Sequence, residues 1–156
     1  MKKRFKLLIP EKAEKEITFM LFNINNIDEL INKRKEYYYN SIRNGNREYL
    51  KSLKIESNTM EDIIGKIDED YRIKRYIQFK ELIIEFIKDI SNNNEIDYIY
   101  NEIFTDKYIN KYSEKNIGDK FKFSVQQIKE MDMLLKWIIY NRAISKGIYK
   151  KEVTNE

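Results

Sequence analysis

The chain has no cysteine and no histidine, one proline and four glycines in 156 residues. Without cysteine there is no disulfide framework, no thiol nucleophile and no thiolate zinc site. Without histidine, imidazole triads and most zinc or iron ligand sets are excluded too. No glycine-rich phosphate loop or dinucleotide fingerprint occurs. No apolar run approaches the roughly 18 residues of a membrane span. The start, MKKRFKLLIP, is basic but has no apolar stretch beyond Leu7 to Ile9, unlike a secretory signal. These absences predict a cytoplasmic chain that is not an enzyme, with no catalytic residues, no cofactor, no metal and no membrane partner. Carboxylates are left for chemistry: Asp68, Glu69 and Asp70 are adjacent, and Glu81 and Glu85 stand one helical turn apart. On helices rich in Lys and Arg such groups are read as solvated salt-bridge partners rather than as Mg²⁺ ligands or an acid–base pair.

What is present favours helices. Hydrophobic residues make up 42% and aromatics 13%, enough for a core, while charged residues reach 36% and breakers are scarce. The 26 Ile, 16 Asn and 12 Tyr fit an AT-rich genome, so tyrosine enrichment is not taken as evidence of base stacking. The net charge of +4 is compatible with nucleic acid but below the dense basic surface of a non-specific binder.

Pro10 suits a first helical turn, with Glu11, Glu14 and Glu16 near the positive end. Ile17, Met20, Ile24, Ile27 and Ile31, then Arg34 and Tyr38, recur at intervals of three and four, predicting one amphipathic helix to about Ile42. Arg34 interrupts the seam and argues against an extended coiled coil. Asn44 to Asn46 break the pattern, Tyr49, Leu50, Leu53 and Ile55 form a short apolar cluster, and Asn58 or Thr59 can cap a new helix. Ile63, Ile64, Ile67, Tyr71, Ile77, Leu82, Ile83, Phe86, Ile87 and Ile90 predict a second long helix ending at Ser91. The expected fold class is therefore all-α: a long antiparallel helical hairpin over residues 1–91 and a C-terminal bundle over 95–149, with the asparagines at 92–94 as boundary and 150–156 as a disordered tail. Tyr37, Tyr38 and Tyr39 beside Lys33, Arg34 and Lys35 are read as core and snorkelling residues.

The C-terminal segment EKNIGDKFKFSVQQIKEMDM, residues 114–133, has the spacing of a helix-turn-helix. Ile117, Phe121, Phe123, Ile128 and Met131 supply the apolar frame, Gly118 the small contact between helices, and Ser124 an N-cap. Lys122 stands where the turn favours glycine, at a cost on the order of 1 kcal/mol if its φ is positive. The last helix runs from Ser124 to about Lys146, with Gly147 as its stop. Exposed positions give a candidate DNA-binding set. Gln126 and Gln127 would offer amides to adenine edges, Lys129 would reach guanine or phosphate, and Lys122 and Ser124 would hold the backbone. Lys136 would complete a positive face.

Tyr108 with Ile109, Ser113, Ile117 with Gly118, Ser124, and Ile128 with Lys129 stand where one family carries its motif. Over this third of the chain the sequence resembles the small phage and prophage transcriptional regulators of clostridia and relatives, whose C-terminal part is similar to the fourth region of sigma factors. The resemblance implies a helix-turn-helix that binds double-stranded DNA, with RNA polymerase as a further partner. This sequence departs from the family in having only Lys129 basic on the recognition helix, beside acidic Glu130 and Asp132. A second reading is a non-enzymatic inhibitor or adaptor, anti-CRISPR-like, that binds a host protein or nuclease complex through its helical surfaces. Under either, the hairpin offers a route to a homodimer.

Overall fold

A computed structural model describes residues 9–43, 60–91 and 95–150, and is all-α, with no strand among them. The helices are α1 (Glu11–Phe22), α2 (Ile27–Arg43), α3 (Met60–Glu69), α4 (Tyr71–Ile90), α5 (Glu95–Phe104), α6 (Glu114–Phe121) and α7 (Val125–Ser145). A wider π-helical turn, Thr105–Ile109, follows α5. The apolar cluster at 49–55, the caps at 58–59, the break at 44–46, the asparagines at 92–94 and the basic start lie outside the described residues, as does the expected tail apart from Lys150. No described helix is long and apolar enough to cross a membrane.

The two long helices of the expected hairpin are each divided in two. The first is broken at residues 23–26, after the Phe19 carbonyl takes both the Asn23 N–H at 3.1 Å and the Asn23 side-chain amide at 2.8 Å. Of the expected stripe, Ile17, Met20, Ile27, Ile31 and Tyr38 are buried, while Ile24 and Arg34 are half-buried. Pro10 sits one residue before the helix, where its carbonyl accepts from the Glu14 N–H at 2.9 Å.

The second long helix is broken at Asp70, which is not a solvated carboxylate but a buried one, 7% exposed. It caps α4, its Oδ1 accepting from the Ile73 N–H at 2.9 Å. Its Oδ2 accepts from Arg34 Nε at 3.0 Å and from the Tyr38 hydroxyl, so two side chains of α2 hold the start of α4. Arg34 therefore belongs in the seam as the partner of Asp70, and its guanidinium also lies 5.3 and 5.6 Å from the ring centroids of Tyr37 and Tyr38. Burial pushes the Asp70 carboxyl up, but hydrogen bonds from Tyr38, the Ile73 N–H and Arg34 outweigh it and hold the group below its ordinary value. Burial, then the bond to Asp70, raises the Tyr38 hydroxyl above its own.

By contacts the chain divides at Asn26 and Gln78 rather than at the asparagines: Asn26–Gln78 is one compact unit, and Met1–Asn25 with Phe79–Glu156 is the other. In the first, α2 packs on α3, with Ile27, Ile31, Ile63, Ile67 and Ile73 buried. In the second, α1 packs on α7, α5 and α6 pack on α7, and the π-helical turn meets α1 and α6. Phe86 of α4 lies 6.1 Å from Phe104, which lies 5.4 Å from Tyr108, which meets Phe22 edge-on at 4.8 Å.

Replacing Asp70 by alanine removes a cap and leaves Arg34 and Tyr38 without their acceptor. Urea unfolding followed by far-UV circular dichroism is expected to show a loss of about 2–4 kcal/mol. The same groups set a pH window. Because the folded-state pKa of Asp70 is lowered, its contribution is present above the ordinary carboxyl pKa and lost as pH falls through the folded value. Because that of Tyr38 is raised, its contribution is present below about pH 10 and lost above it. Unfolding midpoints against pH are expected to fall on both sides, and Asp70→Asn to flatten the acid limb.

Candidate nucleic-acid interface

The segment from Thr105 to Ser145 is a series of short-range stops and starts, each made by a named side chain. Asn110 N–H returns to the Thr105 carbonyl at 2.9 Å, the wide π-type closure, and Tyr112 N–H returns to the Asp106 carbonyl at 2.8 Å around Lys111, whose φ is 60°. Lys111 also donates its ammonium to the Phe22 carbonyl and so meets the C-terminus of α1. Ser113 then caps α6, its Oγ accepting from the Asn116 N–H at 3.1 Å.

A tight corner joins α6 to α7. Lys122 is left-handed, φ 59° and ψ 40°, and the N–H groups of Lys122 and Phe123 both turn back to the Gly118 carbonyl. Gly118 is required by contact: a Cβ there would lie 2.6 Å from the Phe123 carbonyl oxygen. Ser124 caps α7 in a reciprocal box, its Oγ accepting from the Gln127 N–H at 3.1 Å and its own N–H donating to Gln127 Oε1 at 2.8 Å. Beneath the corner Ile103, Ile117 and Ile128 are fully buried, with Ile99, Phe121, Phe123 and Met131 packed around them. At the other end Gly147, φ 77°, closes α7 as expected, with Ile148 N–H reaching the Ala143 carbonyl at 2.9 Å.

Of the six expected DNA-binding residues, Lys122, Ser124, Gln126, Gln127 and Lys129 are exposed at the corner and on the first turns of α7. The Gln127 carbonyl oxygen is engaged in the capping box, so Gln126, with only a 3.4 Å contact to Glu130, holds the amide better placed for a ligand. Lys136 is not on this face. It is 7% exposed, with its ammonium 3.2 Å from Asp132 and 4.0 Å from Glu14, because it stands one turn after Asp132 on the side of α7 that packs inward.

Asp132, expected among the exposed acidic residues, is 4% exposed. Its Oδ2 accepts from Lys107 at 2.8 Å as well as from Lys136, and its Oδ1 from the Tyr108 hydroxyl. Burial, then the charge of Asp132, drives the Tyr108 hydroxyl far above its usual range, so it stays a proton donor. A second buried carboxylate, Asp106, takes Lys120 at 2.9 Å and Asn110 at 3.2 Å, and Lys120 reaches Glu102 at 3.7 Å. The bond to Asp106 is the main cause of the raised Lys120 pKa. These networks were readable in one respect: Asp132 falls between Ile128 and Leu135 on the buried stripe of α7, where a carboxylate must have internal partners. Val125, 40% exposed at the first helical position, was missed because a lone valine carries no motif.

Among the described residues no group of three or more His, Cys, Asp or Glu side chains is placed to hold a metal ion. The exposed residues offer hydrogen bonds, two cations and an apolar contact at the open end of a helix. No known protein family and no solved structure matches the chain. It is similar to the reticulocyte-binding protein homolog 1 of Plasmodium falciparum (isolate 3D7), at 29% identity over 177 aligned positions, covering 94% of this chain. The chain spans about 6% of the length of that protein, a likeness that assigns neither family nor activity.

Gly118→Ala is expected to destabilise the chain by about 1–3 kcal/mol, since backbone rather than a movable side chain meets the new methyl. Lys122→Gly is expected to stabilise it by up to about 1 kcal/mol by relieving the left-handed lysine. Thermal unfolding of the two variants checks both signs.

Proposed function

We propose that the chain is a DNA-binding regulator of the phage or mobile-element type, reading duplex DNA with the first turns of α7. The observation that carries this reading is the corner itself. Gly118 against the Phe123 carbonyl, the left-handed Lys122 and the Ser124–Gln127 box together present a capped helix end whose Val125, Gln126 and Lys129 point to solvent. Such a helix end fits a major groove, where its N-terminal residues meet base edges. The inward position of Asp132 supports the reading, because its charge is met by Lys107 and Lys136 and leaves Glu130 as the acidic residue beside Lys129. In this reading Lys122 and Ser124 hold phosphate, Lys129 reaches guanine or phosphate, and Gln126 offers its amide to adenine.

A sparse cationic surface favours a second reading, in which the chain binds a host protein complex. Lys122 and Lys129 are few charges for duplex affinity, and Trp137 and Tyr112 stand exposed as aromatic contacts.

Binding to a pool of random duplexes at about 50 mM salt separates the two. Under the first, duplex is bound, Lys129→Ala weakens it and lowers the salt slope by about 1, and Lys136→Ala, folded by circular dichroism, leaves the slope unchanged. No measurable duplex affinity at that salt removes the first reading, and one stoichiometric protein captured from host lysate then supports the second.

A further inference from the structure

The first turns of α4 carry a surface that the corner leaves unexplained. Residues 71–80, YRIKRYIQFK, contain Arg72, Lys74, Arg75 and Lys80 and no acidic residue, so ten residues hold as much positive charge as the net +4 of the whole chain. Tyr71, Lys74, Arg75 and Gln78 recur at i, i+3, i+4 and i+7 and share one side of the helix. Tyr71, at 68% exposure, leads the large apolar side chains among the described residues, and the Arg75 guanidinium stands 5.5 Å from its ring centroid. Arg72, Lys74 and Gln78 are exposed as well.

Two aspects of this arrangement work against the stability of the chain alone. Cations in the first turns oppose the helix dipole, and a tyrosine ring left largely in water forgoes its burial. The carboxylate at the helix start does not offset the cations outside, because Asp70 is turned inward to Arg34 and Tyr38. Asp68 and Glu69, both exposed, belong to the preceding helix. A ligand with a repeating anionic backbone and flat apolar faces would use every one of these groups. We infer that this side of α4 binds single-stranded nucleic acid, with phosphates against Lys74 and, at the edge of that side, Arg72, and an unpaired base stacked on Tyr71. Arg75 steadies the ring, and the Gln78 amide meets a base edge. A duplex fits less well, because its paired bases keep their faces inside the stack and out of reach of Tyr71.

The inference does not rest on the corner. Fluorescence anisotropy with labelled oligothymidylate and oligouridylate of about 20 nucleotides, and a duplex of equal length, tests it at about 50 and 200 mM salt. Binding of either single strand is expected. Tyr71→Ala should weaken it about tenfold, and Arg72→Ala with Lys74→Ala should lower the salt slope by about 0.7 for each phosphate contact removed. Lys129→Ala should leave single-strand binding unchanged, while its effect on duplex binding reports separately on the corner. The inference is overturned if neither single strand binds at the lower salt, if Tyr71→Ala binds like the parent, or if the duplex is preferred and loses affinity in these variants. All four substitutions are at exposed positions, and circular dichroism checks that the variants stay folded.

Discussion

A carboxylate taken out of water must be met by charge and by donors, and Asp132 imposes that requirement on the larger compact unit. Its two oxygens accept from Lys107 and Tyr108 in the π-helical turn and from Lys136 on its own helix, and Lys136 is shared with Glu14 of α1. One charge thus ties two elements, the π-helical turn and α1, to α7. Replacing such a set by well-packed apolar residues would cost little or even stabilise, whereas removing Asp132 alone would leave Lys107 and the Tyr108 hydroxyl without their acceptor and Lys136 with Glu14 alone, a loss of about 3–5 kcal/mol. The network therefore acts as a constraint on orientation more than as a source of stability. It sets which side of α7 faces inward and, by exclusion, which side stays exposed.

The corner follows from that orientation. With Ile128, Asp132, Leu135 and Ile139 inward, Gln126 and Lys129 are turned out. Gly118, Lys122 and Ser124 then fix the angle at which α6 delivers the chain into α7, by a close backbone contact, a left-handed residue and a reciprocal cap. A lysine held at positive φ is a local cost, accepted at the point where the proposed reading of DNA places a phosphate contact. The smaller unit uses the same device separately: Asp70 caps one helix and binds two side chains of another.

Much of this was legible in the residues. The absence of strands among the described residues, the burial of Ile17, Met20, Ile27 and Ile31, the caps at Ser113 and Ser124, the role of Gly118 and the stop at Gly147 all follow from spacing and local backbone chemistry. The helix break at residues 23–26 was not legible, because the stripe from Met20 to Ile27 runs across it without a change of phase; around Asp70 the expected stripe fails, since Ile64, Tyr71 and Ile77 are exposed and Ile73 is buried instead. The aspartate takes Arg34 and Tyr38 as donors only once α2 is in place against the start of α4.

The sequence by itself determined the helical class, the apolar frame of the corner and the residue types able to cap and turn it, since these depend on neighbours within a few positions. Only the tertiary structure decided which charges face water. Lys129 and Lys136 are both lysines on one helix, seven residues apart, yet one is exposed and the other is enclosed with Asp132 and Glu14. The fate of a charge depends on partners brought from distant parts of the chain, and one-dimensional spacing does not record whether those partners arrive.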